Sequence, residues 1–112
     1  MGAKGGDLEV LARLYATIAA RKGGDPETSY TAKLLAGGPP AVARKLGEES
    51  IETVIAALQH DSAQTVRESA DLLYHLLVLW AACGIAPDDV WAELGRREGT
   101  SGIAEKAARA KP

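Results

Sequence analysis

The apolar residues near the amino end of the chain recur with the spacing of an amphipathic helix. They lie three or four positions apart at Leu11, Leu14, Tyr15 and Ile18. Asp7 stands where a side-chain acceptor caps a helix, so the pattern predicts a first helix over 8–21. Glycine and proline then break the pattern at 23–26 and again at 37–40, and the segment between them, 29–35, is predicted to be a short helix or a turn.

Three further helices are predicted downstream. The first spans 40–59 and has Pro40 near its first turn, where the missing N–H is not needed. Asp61 and Gln64 match a capping box that opens the next helix, which runs to Cys83 with Gly84 at its carboxyl cap. The third begins at Pro87, is followed by the early acids Asp88 and Asp89, and extends through residue 94.

The remainder of the chain, residues 96–112, is predicted to be a loop with a short helix. No strand pattern stands out, so the fold class is predicted to be all-α, a helical bundle. The expected organisation is a flexible tail over residues 1–7, a single domain over 8–109 and a carboxyl tail over 110–112.

Composition fits this organisation. The chain has 112 residues, of which 46% are hydrophobic and 25% charged, which is the makeup of one globular domain. Aromatic residues make up only 4%, so the core is expected to consist mainly of Leu, Val, Ile and Ala. The two tryptophans, Trp80 and Trp91, are expected in the core or in a dimer contact.

Charge and cysteine usage exclude several classes of protein. Thirteen basic and fifteen acidic residues give a net charge of −2, with no dense basic run of the kind that binds nucleic acid. The single cysteine, Cys83, lies in an apolar run and is interpreted as a small hydrophobe, which favours a reducing cytoplasm. The longest apolar stretch, 72–82, covers about half of the roughly 20 residues that a membrane helix requires, so it is predicted to be a buried core helix.

Acidic residues are arranged on facing stripes of two consecutive helices. At about 100° per residue, one stripe of the 40–59 helix carries Lys45, Glu48, Glu49 and Glu52. On the next helix Glu68 and Asp71 are three residues apart, and His75 lies one turn further along the same face.

Asp71 is followed directly by an apolar run, which predicts that this helix is enclosed by neighbouring helices or by a second subunit. An isolated ionised carboxylate there would be costly, so Asp71 should be protonated, ion-paired or bound to a cation. Because Glu48, Glu49 and Glu52 lie on the preceding antiparallel helix, a metal ion is the favoured partner. Oxygen ligands suit Mg²⁺ or Mn²⁺ far better than Zn²⁺.

Other interpretations of these residues remain open. A single Glu/Asp pair at helical spacing usually marks a solvated face. His75 is interpreted as a core or interface histidine, or as a group that orients Asp71 or contacts substrate, rather than as a metal ligand. A di-iron bundle requires Glu-x-x-His motifs, and here Ala57 precedes His60 and Leu72 precedes His75. P-loop, nucleophile-elbow and dinucleotide-binding motifs are absent from the sequence.

The spacing Glu49-x-x-Glu52 followed by Glu68-x-x-Asp71 resembles the carboxylate signature of the MazG-like all-α nucleoside triphosphate pyrophosphohydrolases. Four sequence motifs around these acids resemble one branch of this superfamily, the phosphoribosyl-ATP pyrophosphohydrolase family. They are SYTAKL at 29–34, KLGEE at 45–49, DLLYHLLV at 71–78 and RREGTSGIAEKA at 96–107. The resemblance covers about 8–109. Ser50 and Ser69 stand where alanine is expected, and Gly95 weakens a helix end that is usually charged.

This resemblance implies a MazG-like bundle of four to five helices completed by homodimerisation. It also implies Mg²⁺-dependent hydrolysis of the α–β phosphoanhydride of phosphoribosyl-ATP to phosphoribosyl-AMP and pyrophosphate, the second step of histidine biosynthesis. Two alternatives remain, which are a MazG-like enzyme that hydrolyses other nucleoside triphosphates and a non-catalytic helical module that only dimerises or binds a partner.

The site residues follow from the resemblance and the acidic stripes together. Mg²⁺ is expected to be held by Glu49, Glu52, Glu68 and Asp71, and Glu48 and Glu49 are the candidate catalytic residues, with Glu48 acting as a ligand or as the base for the attacking water. The candidate substrate-binding residues are Lys33, Lys45, His75, Arg96, Arg97 and Lys106. For each of the five basic residues among them, a solvated surface charge or an ion pair with a nearby acid is an equally good explanation.

Overall fold

The computed structural model of the chain describes residues 7–110, so most of the predicted amino-terminal tail and the last two residues lie outside the described part. The described residues form six helices and no strand, which confirms the all-α class. In chain order the helices are α1 (Glu9–Ala20), α2 (Tyr30–Ala36), α3 (Gly38–Leu58), α4 (Ser62–Cys83), α5 (Pro87–Arg97) and α6 (Gly102–Ala110).

Side-chain caps define several of the helix starts. Asp61 accepts a hydrogen bond from the backbone N of Gln64 at 3.0 Å, which confirms one half of the predicted capping box. Ser29 caps α2 in the same way through the backbone N of Ala32, so this segment is a helix rather than a turn. Asp7 accepts from the backbone N of Glu9 at 2.7 Å, although the formal cap is the following residue.

An antiparallel hairpin of α3 and α4 forms the centre of the molecule. The tight turn between them is closed by a hydrogen bond of 3.3 Å from the backbone N of Asp61 to the carbonyl of Ala56. Further from the turn, the hydroxyl of Thr53 on α3 donates to the carbonyl oxygen of Glu68 on α4 at 3.2 Å. This register places the acidic stripe of α3 beside that of α4.

The core lies where α1 and α3 pack against the second half of α4. Its fully buried side chains are Ile18, Val42, Leu77 and Val78, and the predicted apolar stripe of α1 packs against them. Trp80 is buried in the core, as expected, and meets the ring of Trp91, which is 40% exposed, edge to face at 5.7 Å. The core is therefore concentrated at one end of α4.

The carboxyl-terminal region is more helical than the sequence predicts. Helix α5 continues to Arg97, because the pairing of Glu93 with both Arg96 and Arg97 at three- and four-residue spacing supports its last turn. Helix α6 then follows, and its buried residue Glu105 accepts a hydrogen bond from Arg96 at 2.7 Å. An ionic cluster, rather than an apolar seam, joins α6 to α5.

Two observations bear on the burial expected along α4. Cys83 is exposed, because it belongs to the last turn of α4 beyond the core. Helix α4 is also not enclosed by the described residues, since Leu73 and Val66 keep 47% and 69% of their surface exposed. Helices α1, α2 and α3 cover only part of its circumference and leave an apolar face open.

No single helix among the described residues is long and apolar enough to cross a membrane. Helices α4 and α5 reach the length and hydropathy of a membrane-spanning segment only when they are taken together, and they are bent by 112° with respect to each other.

Candidate active site

Three carboxylates from the two helices of the hairpin converge. One carboxylate oxygen each from Glu49, Glu68 and Asp71 lies within 4.8 Å of the other two. Glu49 is the most buried of the three, with 7% of its surface exposed, whereas Asp71 is exposed. The burial predicted for Asp71 is therefore found at Glu49 instead.

Polar neighbours hold Glu68 in place. The side-chain amide of Gln64 donates to Oε2 of Glu68, and the hydroxyl of Thr53 reaches the carbonyl oxygens of both Glu49 and Glu68. The other carboxylate oxygen of Glu68, Oε1, is buried and has no hydrogen-bond partner among the described residues. A buried carboxylate oxygen without a donor is unfavourable, so the arrangement fits a site that a cation completes.

Glu52 lies at the edge of this cluster rather than inside it. It lines a groove of about 270 Å³ together with Glu68 and Gln64. The carboxylate of Glu49, with a smaller contribution from Glu68, raises the pKa of Glu52 above its ordinary value. Glu52 therefore adds a fourth negative charge within electrostatic reach, as the acidic stripe of α3 predicts.

Glu48 and Lys45 form the other border of the cluster. The ammonium of Lys45 lies 3.5 Å from Oε1 of Glu48 and 3.7 Å from Oε2 of Glu49. The Glu48 side chain is 54% exposed and does not belong to the three-carboxylate group. Lys45 thus links the acids to a second groove, in which Glu48 lies beside α2.

His75 is buried, and both of its ring nitrogens are engaged. Nδ1 lies 2.7 Å from the carbonyl oxygen of Asp71, which can only accept, so Nδ1 carries the proton in the neutral ring. Nε2 then accepts from the hydroxyl of Tyr30 at 3.2 Å. His75 therefore contacts the backbone of Asp71, and it is not a member of the three-carboxylate cluster.

The remaining candidate cations lie in three places. Lys33 lines the groove beside Lys45. Arg96 and Arg97 are both ion-paired with Glu93 and Glu105, and the hydrogen bonds that Arg96 donates to Glu93 raise the pKa of its guanidinium. Lys106 is exposed on α6. The structure therefore brings Lys33 and Lys45 close to the acids and places the arginines in the ionic cluster between α5 and α6.

Comparison with known proteins identifies the family. The family model described as phosphoribosyl-ATP pyrophosphohydrolase matches residues 11–98, which include the carboxylate cluster and both grooves. The chain belongs to the phosphoribosyl-ATP pyrophosphohydrolase family. Its members are hydrolases, and the chain is an enzyme of that class.

Relatives match over nearly their whole length. A protein of Paramagnetospirillum magneticum is 61% identical over 105 residues, which cover 94% of this chain and 96% of the relative. A protein of Azospirillum brasilense is 64% identical and covers 89% and 90%, and one of Parvibaculum lavamentivorans is 64% identical and covers 92% and 94%. Each of the three is named phosphoribosyl-ATP pyrophosphatase.

Several residues around the carboxylate cluster and the grooves are not indicated as site residues by the sequence. Gln64 was assigned only to the helix cap, although its four-residue spacing from Glu68 permits the side-chain hydrogen bond. Tyr30 belongs to the SYTAKL motif of the family, but its position in the sequence indicates no role. Thr53 and Arg44, which lines the second groove, are not indicated by the sequence, because their positions depend on how α3 packs against α4 and α2.

Proposed function

We propose that this enzyme hydrolyses the α–β phosphoanhydride of phosphoribosyl-ATP to phosphoribosyl-AMP and pyrophosphate, the second step of histidine biosynthesis. The observation that carries the proposal is the convergence of Glu49, Glu68 and Asp71 on facing helices in a member of this family. A polyanionic substrate needs positive charge to approach such a cluster, and a divalent cation supplies it.

We propose Mg²⁺ as the cation, with Mn²⁺ as a substitute. Glu49, Glu68 and Asp71 would hold it, with Glu52 at the edge, and the unpartnered Oε1 of Glu68 supports this assignment. An all-carboxylate set favours hard cations over Zn²⁺. When bound, the cation neutralises charge on the phosphates and acidifies a water molecule.

The protein's own groups would then position the substrate and move a proton. Glu48 is exposed beside Lys45 and can take a proton from an attacking water, whereas Glu49 is committed to the cluster. Lys45 and Lys33 face the second groove and can contact phosphate oxygens. His75 would act through Tyr30, since both of its nitrogens are engaged.

For Arg96, Arg97 and Lys106 a substrate-binding role remains a prediction. The two arginines would have to exchange their contacts with Glu93 and Glu105 for substrate oxygens.

We also propose that the enzyme is a homodimer in the cytoplasm. The radius of gyration is 16.2 Å, compared with about 13 Å for a compact domain of this length. Helix α3 exposes an apolar stripe at helical spacing: Ile51, Val54, Ile55 and Leu58. Val66 and Leu73 extend this apolar surface onto α4, and a second copy packed there would cover both.

The dimer is tested by Val54→Lys, with Val10→Lys as a matched control of similar exposure on α1. Sedimentation equilibrium should show a dimer for the wild type and for Val10→Lys, and a monomer for Val54→Lys. A wild-type monomer at micromolar concentration would refute the proposal.

The activity is tested by measuring pyrophosphate release from phosphoribosyl-ATP, ATP, dCTP and dUTP, each with Mg²⁺ and with EDTA. We expect release from phosphoribosyl-ATP to exceed release from the other three substrates by far and to be abolished by EDTA. Equal or greater release from an ordinary nucleotide would identify a broad nucleoside triphosphate pyrophosphatase instead. No release from any of them would indicate a non-catalytic module.

A further inference from the structure

A cation-rich groove lies between α2 and α3, next to the acidic cluster but separate from it. This α2–α3 groove has a volume of about 260 Å³ and is lined by Tyr30, Lys33, Leu34, Ala41, Arg44, Lys45 and Glu48. It gathers three cations and one carboxylate in a protein whose net charge is −2. The volume is many times the ~10–15 Å³ that one water molecule needs, so a polyatomic anion fits.

Two of the three cations are available to a ligand. Among the ion pairs of residues 7–110, none includes Lys33 or Arg44. Lys45 does pair with Glu48 and Glu49, but at 3.5 and 3.7 Å, longer than the ~2.7–2.9 Å of a strong charge-assisted hydrogen bond. An anion in the groove can therefore gain contacts without breaking a well-formed ion pair.

Tyr30 forms a fixed wall of the groove. Its hydroxyl donates to Nε2 of His75, and its ring stacks near Tyr74 at 6.3 Å with an interplanar angle of 24°. Burial of the hydroxyl raises the pKa of Tyr30, so the residue stays neutral and adds no negative charge to the groove. Because His75 is also bonded to the carbonyl of Asp71, the same contacts fix the groove relative to the acidic cluster.

We propose that the α2–α3 groove is a phosphate subsite, in which Lys33 and Arg44 bind a phosphate group of the substrate that lies beyond the acidic cluster. Lys45 borders both sites and contacts phosphate on either side. This inference rests on the proposed function, because phosphoribosyl-ATP carries a triphosphate and, separately, a phosphate monoester on its second ribose. The groove binds either the outer part of the triphosphate or that monoester, and these two sources share the same chemistry.

The test separates the subsite from turnover. Amide chemical shifts are followed by NMR in EDTA, with ribose 5-phosphate and inorganic pyrophosphate as the probes, for wild type, Lys33→Gln, Arg44→Gln and the control Arg13→Gln. Arg13 is an exposed cation of α1 that pairs with Asp7, so it matches Arg44 in the charge removed. No metal and no substrate cleavage are involved.

We expect at least one probe to cause saturable shifts at the groove in the millimolar range. Lys33→Gln and Arg44→Gln should each weaken that binding by about tenfold, as expected for the loss of one charge-assisted contact, and Arg13→Gln should leave it unchanged. Preference for ribose 5-phosphate assigns the groove to the monoester, and preference for pyrophosphate assigns it to the triphosphate. Absence of saturable shifts with both probes, or equal affinity in all four proteins, would overturn the proposal.

Steady-state kinetics provide the second readout. With phosphoribosyl-ATP, the two groove variants should raise KM by about the same factor and leave kcat near the wild-type value, because the groove lies outside the carboxylate cluster. If wild-type enzyme fails to hydrolyse this substrate while the probes still bind the groove, the proposed function is wrong and the phosphate subsite stands.

Discussion

Replacing Asp71 with asparagine should stabilise the metal-free protein and abolish its stabilisation by Mg²⁺. The side chain of Asp71 has no ion pair among the described residues, so the substitution removes repulsion without removing an attraction. Its carboxylate faces those of Glu49 and Glu68 at no more than 4.8 Å. The proposed role of Asp71 and the stability of the free protein therefore oppose each other at this position.

The magnitude follows from these distances. Two unit charges 4.8 Å apart repel by about 0.9 kcal/mol in water and by about 3.5 kcal/mol at an effective dielectric constant of about 20. Asp71 is exposed, so the aqueous value applies, and its two carboxylate neighbours together contribute about 2 kcal/mol at low salt. A gain of 1–2 kcal/mol should raise the melting temperature by roughly 4 °C or more.

Thermal unfolding at equal protomer concentration provides the assay, in EDTA and in Mg²⁺. Wild type should gain about 1.4 kcal/mol when free Mg²⁺ is tenfold above its dissociation constant, whereas Asp71→Asn should gain little. Asp88→Asn is the matched control, since this exposed residue lies in the first turn of α5 and should respond to Mg²⁺ like wild type. A lower melting temperature of Asp71→Asn in EDTA would refute the repulsion argument, and an undiminished Mg²⁺ response would remove Asp71 from the ligand set.

Three further predictions concern the scaffold. Hydrogen bonds from Arg96 and Arg97 lower the pKa of Glu93 from 4.5 to about 2, so Glu93 stabilises the fold above pH 4.5, and that contribution is lost as the pH falls toward 2. Glu93→Gln should therefore unfold more readily than wild type at neutral pH, and urea titrations should show the difference shrinking over that interval. Backbone conformation predicts opposite effects at two turns: Gly84 has φ of +73° and His60 has φ of +58°, so Gly84→Ala should cost about 1–2 kcal/mol, whereas His60→Gly should be neutral or stabilising in the same titration. Thr53→Val removes the hydroxyl between the carbonyls of Glu49 and Glu68 and should lower the free energy of unfolding by about 1 kcal/mol, whereas Thr17→Val, which loses a hydrogen bond only within α1, should cost less.

Sequence patterns predicted the helices well because their signals are local. The capping residues Ser29 and Asp61 and the carboxyl-terminal Gly84 act on their own backbone, so their effect is visible without tertiary structure. The end of α5 was predicted too early. Its last turn depends on ion pairs with Arg96 and Arg97, for which the sequence alone leaves substrate binding and ion pairing equally open.

The candidate site was predictable to the extent that it follows helical spacing. Glu49, Glu68 and Asp71 meet because two stripes face each other in a hairpin with a three-residue turn, and both the stripes and the turn are visible in the sequence. Which acid is buried was not visible. Glu49 is buried because α2 and α4 both pack near it. Which side chains become buried depends on how the helices assemble, and the sequence does not show this.

The same packing joins the acids and the α2–α3 groove into one continuous region. Helix α2 begins where Tyr30 reaches His75, and His75 holds the turn of α4 that carries Asp71. From the opposite side, Lys45 of α3 contacts Glu49 and lines the groove. Under the proposed function, a substrate with several phosphates would place one of them near the cluster and another between α2 and α3. Repulsion among the unneutralised acids is the cost of this arrangement, and the small core at the other end of α4 must offset it in the free protein.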